Sequence, residues 1–257
     1  MSTQHLNAYA RLAPLYDDLG FSNYTTAITP QLLTFLQQNG WLGRRILDLG
    51  CGTGVSASFF AGVGMETTGI DISPQMLEVA RKRQEDTGYH VDYLVGDVRQ
   101  VDFPGAMDLV FCIGNVFNEF MSMREIKSIV EKAYNALEPG RSFVFDMTTL
   151  RGLGEYIGSG EQILDVSDRL FLAIKNQFTF DLMTTRQAII IFYQGQDGHW
   201  GRFNVHLALR SYPHDRMLRL LEDVGFVIKG SYTTTLEEFD PLNDTEGRVI
   251  VVADKPA

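Results

Sequence analysis

Ile46-Leu47-Asp48-Leu49-Gly50-Cys51-Gly52-Thr53-Gly54 is an apolar run that ends in glycines, and the residues from Thr53 to Ala61 that follow it read as a helix. Strand, tight turn and helix start in that order build a ligand edge. Without side chains at Gly50 and Gly52, a ligand can touch backbone at the carboxyl end of the strand, where ligands sit in open parallel sheets. Asp71 closes the next apolar run, Met65 to Ile70, at the roughly 20-residue distance where a carboxylate accepts both hydroxyls of a ribose. A dinucleotide fingerprint needs its third glycine three positions after the second. Here that position is Val55, the extra glycine is Gly54, and Asp48 stands two residues before Gly50. The loop therefore misses the pyrophosphate spacing, which disfavours a nicotinamide enzyme.

The same alternation extends outward. Thr29-Pro30 predicts an N-cap and first turn of a helix that Gly40 stops. Ser73-Pro74 opens a helix to about Thr87, and Val91 to Val95 and Met107 to Ile113 read as the third and fourth strands. Ser122 with Glu125 forms a capping box for a helix to Leu137, Pro139-Gly140 turns the chain, and Arg141 to Met147 is a fifth strand. Strand and helix in strict turn predict an α/β chain with a doubly wound, mostly parallel sheet. After residue 155 the pattern changes. Arg169 to Phe180, Thr185 to Gln194 and Trp200 to Arg210 predict a small inserted antiparallel β meander. Pro213 then opens a last helix that Gly225 ends, and Phe226 to Ser231 and Arg248 to Ala253 bring the sheet to seven strands.

Composition narrows the partners. Of 257 residues, 45% are hydrophobic and 21% charged, which excludes a disordered or fibrous chain. The net charge of −10 repels nucleic acid and anionic membrane. Cys51 and Cys112 cannot build a disulfide scaffold and fit a reducing, cytoplasmic setting. Met1 to Asp17 holds no apolar run of signal or membrane length, and His5, His90, His199 and His214 show no metal spacing.

Asp48 to Gly54 resembles motif I of class I S-adenosylmethionine-dependent methyltransferases. Gly69-Ile70-Asp71-Ile72-Ser73 resembles their second motif, Gly96-Asp97-Val98 their third, and Glu138-Pro139-Gly140-Arg141 the turn before their fifth strand, with Arg141 in place of a usual glycine. The resemblance implies the Rossmann-like methyltransferase fold and S-adenosylmethionine as cofactor. It implies that Asp48, Gly50, Cys51 and Gly52 line its methionine and sugar, that Asp71 binds the ribose, and that Ile72 and Met76 pack near the adenine. It further implies that Asp97 accepts from the adenine amino group with Val98 beside it, and that Ile113 to Asn115 run past the sulfonium. The segment from Tyr9 to Asp17 resembles the N-terminal helix of the small-molecule group of that family, so residues 1–28 are expected to form a lid with Tyr9, Tyr16 and Tyr24 reaching the cofactor pocket. Residues 29–154 and 211–257 then make the cofactor domain, and 155–210 cover the substrate.

Methyl transfer is an in-line displacement that needs alignment and exclusion of water. An amine attacks through its lone pair, whereas an alcohol needs a base. Glu119 and Asp146, at the tips of the fourth and fifth strands, and His206 in the meander are the catalytic candidates. Base-methylating enzymes of nucleic acid carry an Asn/Asp-Pro-Pro-aromatic motif after the fourth strand, and this chain has Gly114-Asn115-Val116-Phe117-Asn118 there. The expectation is a methyltransferase acting on a small neutral or cationic molecule, foremost an amine of the sugar-amine or glycine-like kind. O-methylation and non-catalytic cofactor binding are the alternatives, and a monomer or homodimer without membrane, nucleic acid or metal is expected.

Overall fold

A computed structural model describes residues 3–156 and 160–257. In chain order the helices are α1 (Thr3–Leu12), α2 (Asn23–Gln38), α3 (Val55–Gly62), α4 (Pro74–Thr87), α5 (Met123–Ala136) and α6 (His214–Val224). The strands are β1 (Arg45–Leu49), β2 (Glu66–Asp71), β3 (Asp92–Val95), β4 (Met107–Cys112), β5 (Leu137–Thr148), β6 (Gly160–Ser167), β7 (Leu170–Thr179), β8 (Thr184–Gln194), β9 (Trp200–Arg210), β10 (Val227–Tyr232) and β11 (Arg248–Asp254).

Seven strands form one sheet in the order β10-β11-β5-β4-β1-β2-β3. β1 to β5 are parallel, and β11 enters antiparallel beside β5. β4 is buried at every position, as a strand covered on both faces must be. Strand order reverses between β1 and β4, so the switch-point crevice opens above the glycine loop. This is the Rossmann-like methyltransferase fold that the motifs implied. β6-β7-β8-β9 form a second, antiparallel sheet.

Local chemistry sets the element ends. Ser73 Oγ accepts from the Met76 amide at 3.3 Å, and Ser122 Oγ accepts from the Glu125 amide at 3.3 Å while donating to Glu125 Oε2. Gly225 ends α6 at φ +113°, a left-handed conformation that glycine adopts freely. Below the sheet Asp108 accepts from the amides of Arg44 and Arg45 and pairs with the guanidinium groups of Arg45 and Arg141. Three apolar clusters fill the interior. Two lie on the faces of the main sheet. The third joins Leu12 of α1, Met76 of α4, and Leu172, Ile189 and Val205 of the second sheet.

Two expectations are corrected. Thr29-Pro30 does not start a helix: α2 begins at Asn23 and passes through both residues. Thr29 Oγ1 bonds the Thr25 carbonyl and Ser56 Oγ, so the hydroxyl is used inside the helix and not at its cap. Position 28 therefore falls within a helix. The meander also has a fourth strand, β6, whose Ile163 and Leu164 remain exposed, so no alternating buried face marks it in the sequence. Residues 1–2 of the expected lid and 157–159 of the expected insertion lie outside the described residues.

Candidate functional site

The crevice is built from strand ends. Gly50, Gly52 and Gly54 all have positive φ, at +68°, +55° and +76°. A Cβ on Gly54 would lie under 3 Å from the Tyr93 hydroxyl and Ala80, and one on Gly50 would press on Val116; one on Gly52 would meet nothing within 4 Å. The first two glycine positions serve packing, and the third keeps the crevice side of the loop bare. Asp71, 9% exposed, accepts from the Gly52 amide at 2.9 Å and the Ser73 amide at 2.8 Å. Burial raises its pKa, and these amides work against that rise. Beside it Asp48 is 3% exposed with Oδ2 unpartnered, and burial and the Asp71 charge hold its carboxyl well above the usual range. Tyr16, Asp48, Gly50, Cys51, Gly52 and Ile113 line one small space of about 50 Å³.

The N-terminal segment closes over this loop. Asp17 accepts from Thr53 Oγ1 at 2.8 Å and from Arg83 Nη2 at 2.6 Å, and Arg83 Nε donates to the Thr53 carbonyl. Tyr9 and Tyr16 stack tilted, 6.3 Å apart. The Tyr9 hydroxyl donates to Glu119 Oε1. Glu119 is 6% exposed, its Oε2 has no partner, and burial raises its pKa to about 8. It ends the short turn Val116–Glu119 that leads off β4, the turn whose Val116 packs on Gly50.

Glu119 also lines a cleft of about 880 Å³ between residues 99 to 125 and the second sheet. His206 reaches this cleft from an exposed position and sits 3.2 Å from Asn204 Nδ2. Ala208 and Arg210 follow it on the same strand face, as alternation predicts, and Leu207 of the opposite phase also reaches the wall.

Other predicted residues are differently engaged. Asp146 is fully buried; Oδ1 accepts from the amides of Gly114 and Asn115, and Oδ2 from Arg248. With both oxygens taken it anchors the loop after β4 and is no free carboxylate for an ammonium group. Asp97 is held by the Arg99 guanidinium, which lowers its pKa against the effect of burial, and Arg99 also binds Glu125. The sequence expectation had left Asp97 free for an adenine. Met76 is buried in the cluster under α1 and the second sheet, with Val98 in the main core. Ile72 is half-buried. Asn115 adopts φ +68° and accepts from Thr148 Oγ1. Tyr24 stacks under Arg248, 4.1 Å from guanidinium carbon to ring centre, with its hydroxyl buried near Arg248 and Asp146.

Two contributors were not expected. Asp17 latches the N-terminal segment to Thr53, and Asn118 ties Thr148 to Arg210 through 2.8–3.0 Å hydrogen bonds. Both residues stood in quoted motifs, but each partner is more than 25 positions away. Among the described residues no helix is long and apolar enough to cross a membrane, and no group of three His, Cys, Asp or Glu could hold a metal ion.

Residues 46–140 match the family described as the methyltransferase domain. The chain is 32% identical over 122 residues to the ubiquinone biosynthesis O-methyltransferase of Proteus mirabilis, covering 46% of this chain and 48% of that one. It thus spans about half the length of such curated relatives. A solved S-adenosylmethionine-dependent methyltransferase from Clostridium acetobutylicum superposes with a TM-score of 0.84 at 20% identity, over 97% of this chain and 99% of that one. The amino pentose methyltransferase CalS10 from Micromonospora echinaspora, solved with S-adenosylmethionine bound, superposes at 0.67 and 19% identity, over 88% and 89%.

Proposed function

Residues 46–140 are a methyltransferase domain set in the class I fold, and from that premise we propose that this chain moves a methyl group from S-adenosylmethionine to a small-molecule amine. The residues of the crevice fit such a cofactor. Asp71 would take the ribose hydroxyls on the lone pairs its amide bonds leave, and Gly52 would let the ligand approach the backbone. Asp48, Gly50, Cys51 and Ile113 would line the remainder, under Tyr16. Asp97 would reach an adenine only alongside Arg99. When bound, S-adenosylmethionine supplies an electrophilic methyl on a sulfonium.

The observation that carries the amine reading is Glu119 Oε2, a buried carboxylate oxygen without a partner, in the wall of the acceptor cleft. An arriving ammonium gives this oxygen its missing donor. At the buried Glu119 carboxyl the ion pair relaxes to neutral acid and neutral amine, the proton passing from nitrogen to oxygen, because burial disfavours both charges. The free lone pair then attacks the methyl carbon as the carbon–sulfur bond breaks. Tyr9 holds the other carboxyl oxygen and aims the group. A second reading, O-methylation with His206 as base, draws on the O-methyltransferase relative and on the place of His206 in the same cleft.

The test has two arms. Calorimetry should show S-adenosylmethionine binding that Asp71→Ala weakens roughly ten- to a hundredfold, the size of a lost charged hydrogen bond. An acceptor screen reading S-adenosylhomocysteine should find turnover with amines, and Glu119→Gln should lower kcat with little change in cofactor affinity. Turnover confined to phenols or carboxylic acids, cut by His206→Ala and not by Glu119→Gln, would replace the amine reading with the second one.

A further inference from the structure

The acceptor cleft has a charge opposite to that of the protein around it. The chain carries −10, yet the cleft wall holds Arg99, Lys175, Arg186 and Arg210 against Glu119 and Glu125, an excess of two positive charges. The acids are spoken for. Glu125 is bound by Arg99, and Glu119 is bonded to Tyr9 with its pKa raised to about 8. Lys175 pairs with Glu161 at 3.0 Å, an exposed and weak contact.

Strand register shows how the cations are placed. Lys175, Ala188 and His206 are opposite one another across β7, β8 and β9, as are Gln177, Arg186 and Ala208 in the next row of the same face. Thr179, Thr184 and Arg210 make the third row. Arg186 thus stands at the centre of a nine-residue face, with Ala208 and Gln177 beside it across the sheet and Ala188 and Thr184 along its own strand, none of them charged. Among the described residues no acid or carbonyl engages the Arg186 guanidinium. In the next row Arg210 donates to the Met121 carbonyl and lies over the Tyr212 ring, while its Nε is buried without an acceptor. A free guanidinium fork next to a buried unpaired N–H is an arrangement that binds planar or tetrahedral oxyanions.

We propose that the acceptor carries an anionic group, a carboxylate or a phosphate, and that Arg186 binds it with support from Arg210 while the methylated nitrogen lies toward Glu119. This rests on the amine reading for the nitrogen end only. The anion end makes its own prediction, since binding is measurable without turnover.

The test uses matched probe pairs that differ only in the anion: an α-amino acid against its carboxamide, and an amino-sugar phosphate against the free amino sugar. Calorimetry with the full chain, with S-adenosylhomocysteine present, should show the anionic member of at least one pair binding tenfold or more tightly. The pair that responds identifies carboxylate or phosphate. Arg186→Gln should erase that preference and Arg186→Lys should restore part of it, and both variants should keep the wild-type melting temperature because position 186 is exposed. Equal affinity within both pairs, or a preference that survives Arg186→Gln, overturns the inference. Absence of S-adenosylhomocysteine release from every amine, with the anion preference intact, would sink the proposed reaction and leave the anion site standing.

Discussion

Glu119 shows what a buried reactive group costs a fold. Its carboxyl titrates near 8 in the folded chain and near 4.5 when unfolded, because burial disfavours its charge. As pH rises past about 4.5 the unfolded chain releases a proton that the folded chain keeps, so this group lowers stability progressively until about pH 8, and no further above it. Glu119→Gln keeps an acceptor for Tyr9 and removes the titration. Urea unfolding should find the variant gaining roughly 2–4 kcal/mol on wild type between pH 5 and pH 8.5. A constant difference across that range would show that the carboxyl ionises freely. Asp108 behaves in the opposite sense. Two amides and two guanidinium groups hold it down to about 2, so its contribution is full above about pH 4 and fades toward pH 2.

Among the elements, α1 and the residues after it make contacts with both the glycine loop and the second sheet. This segment packs on α4 and β9 and is latched to the glycine loop through Asp17, Thr53 and Arg83. Arg11 reaches the Asn204 carbonyl and lies over the Phe203 ring, so the same segment grips the second sheet. Tyr16 of this segment lines the small space beside Gly52. Asp17→Asn should therefore loosen the latch while the sheets stay folded. The ion pair is about one-third exposed, so the expected loss of cofactor affinity is modest, about threefold to tenfold. Stopped-flow fluorescence should place it in faster cofactor release. An unchanged release rate would mean that the latch does not gate the crevice.

At the scale of the whole molecule, the second sheet, the N-terminal segment and α4 share one apolar cluster, apart from the two on the main sheet. Leu172 of β7 is fully buried in the cluster that also holds Leu12 and Met76. Leu172→Ala leaves a cavity between the second sheet and α1, a change that destabilises by roughly 2–5 kcal/mol. The melting temperature should fall, and proteolysis within α1 should accelerate before the main sheet opens, because α1 shares this cluster with Leu172 while the main sheet is filled by two other clusters. Cleavage that begins instead in the β-strands of the main sheet would contradict this order. Charge follows the same logic of place. The chain has a surplus of acids, while the cleft lined by Glu119, Arg186 and Arg210 carries an excess of cations. An overall charge of −10 thus argues against a nucleic-acid partner.

The fold was legible because it is written in local periods. Glycines after an apolar run, Ser73-Pro74, and Ser122 with Glu125 each act within a few residues, and they put β1 to β5, α3 to α5 and the acid Asp71 in order without any long-range contact. The start of α2 was not legible, since Thr29-Pro30 is as acceptable in a helix whose Thr29 hydroxyl bonds backward as at a cap. Nor was β6, an exposed edge strand held by backbone pairing to β7. Which acids remain free was beyond any local rule. Asp146, Asp97 and Glu119 look alike in the chain, yet Arg248 and two amides saturate the first, Arg99 holds the second, and the third keeps an oxygen unpaired beside Tyr9, 110 positions away. A carboxylate's chemistry depends on the donors that folding brings within hydrogen-bond reach, and those donors come from distant segments that no spacing along the chain reveals.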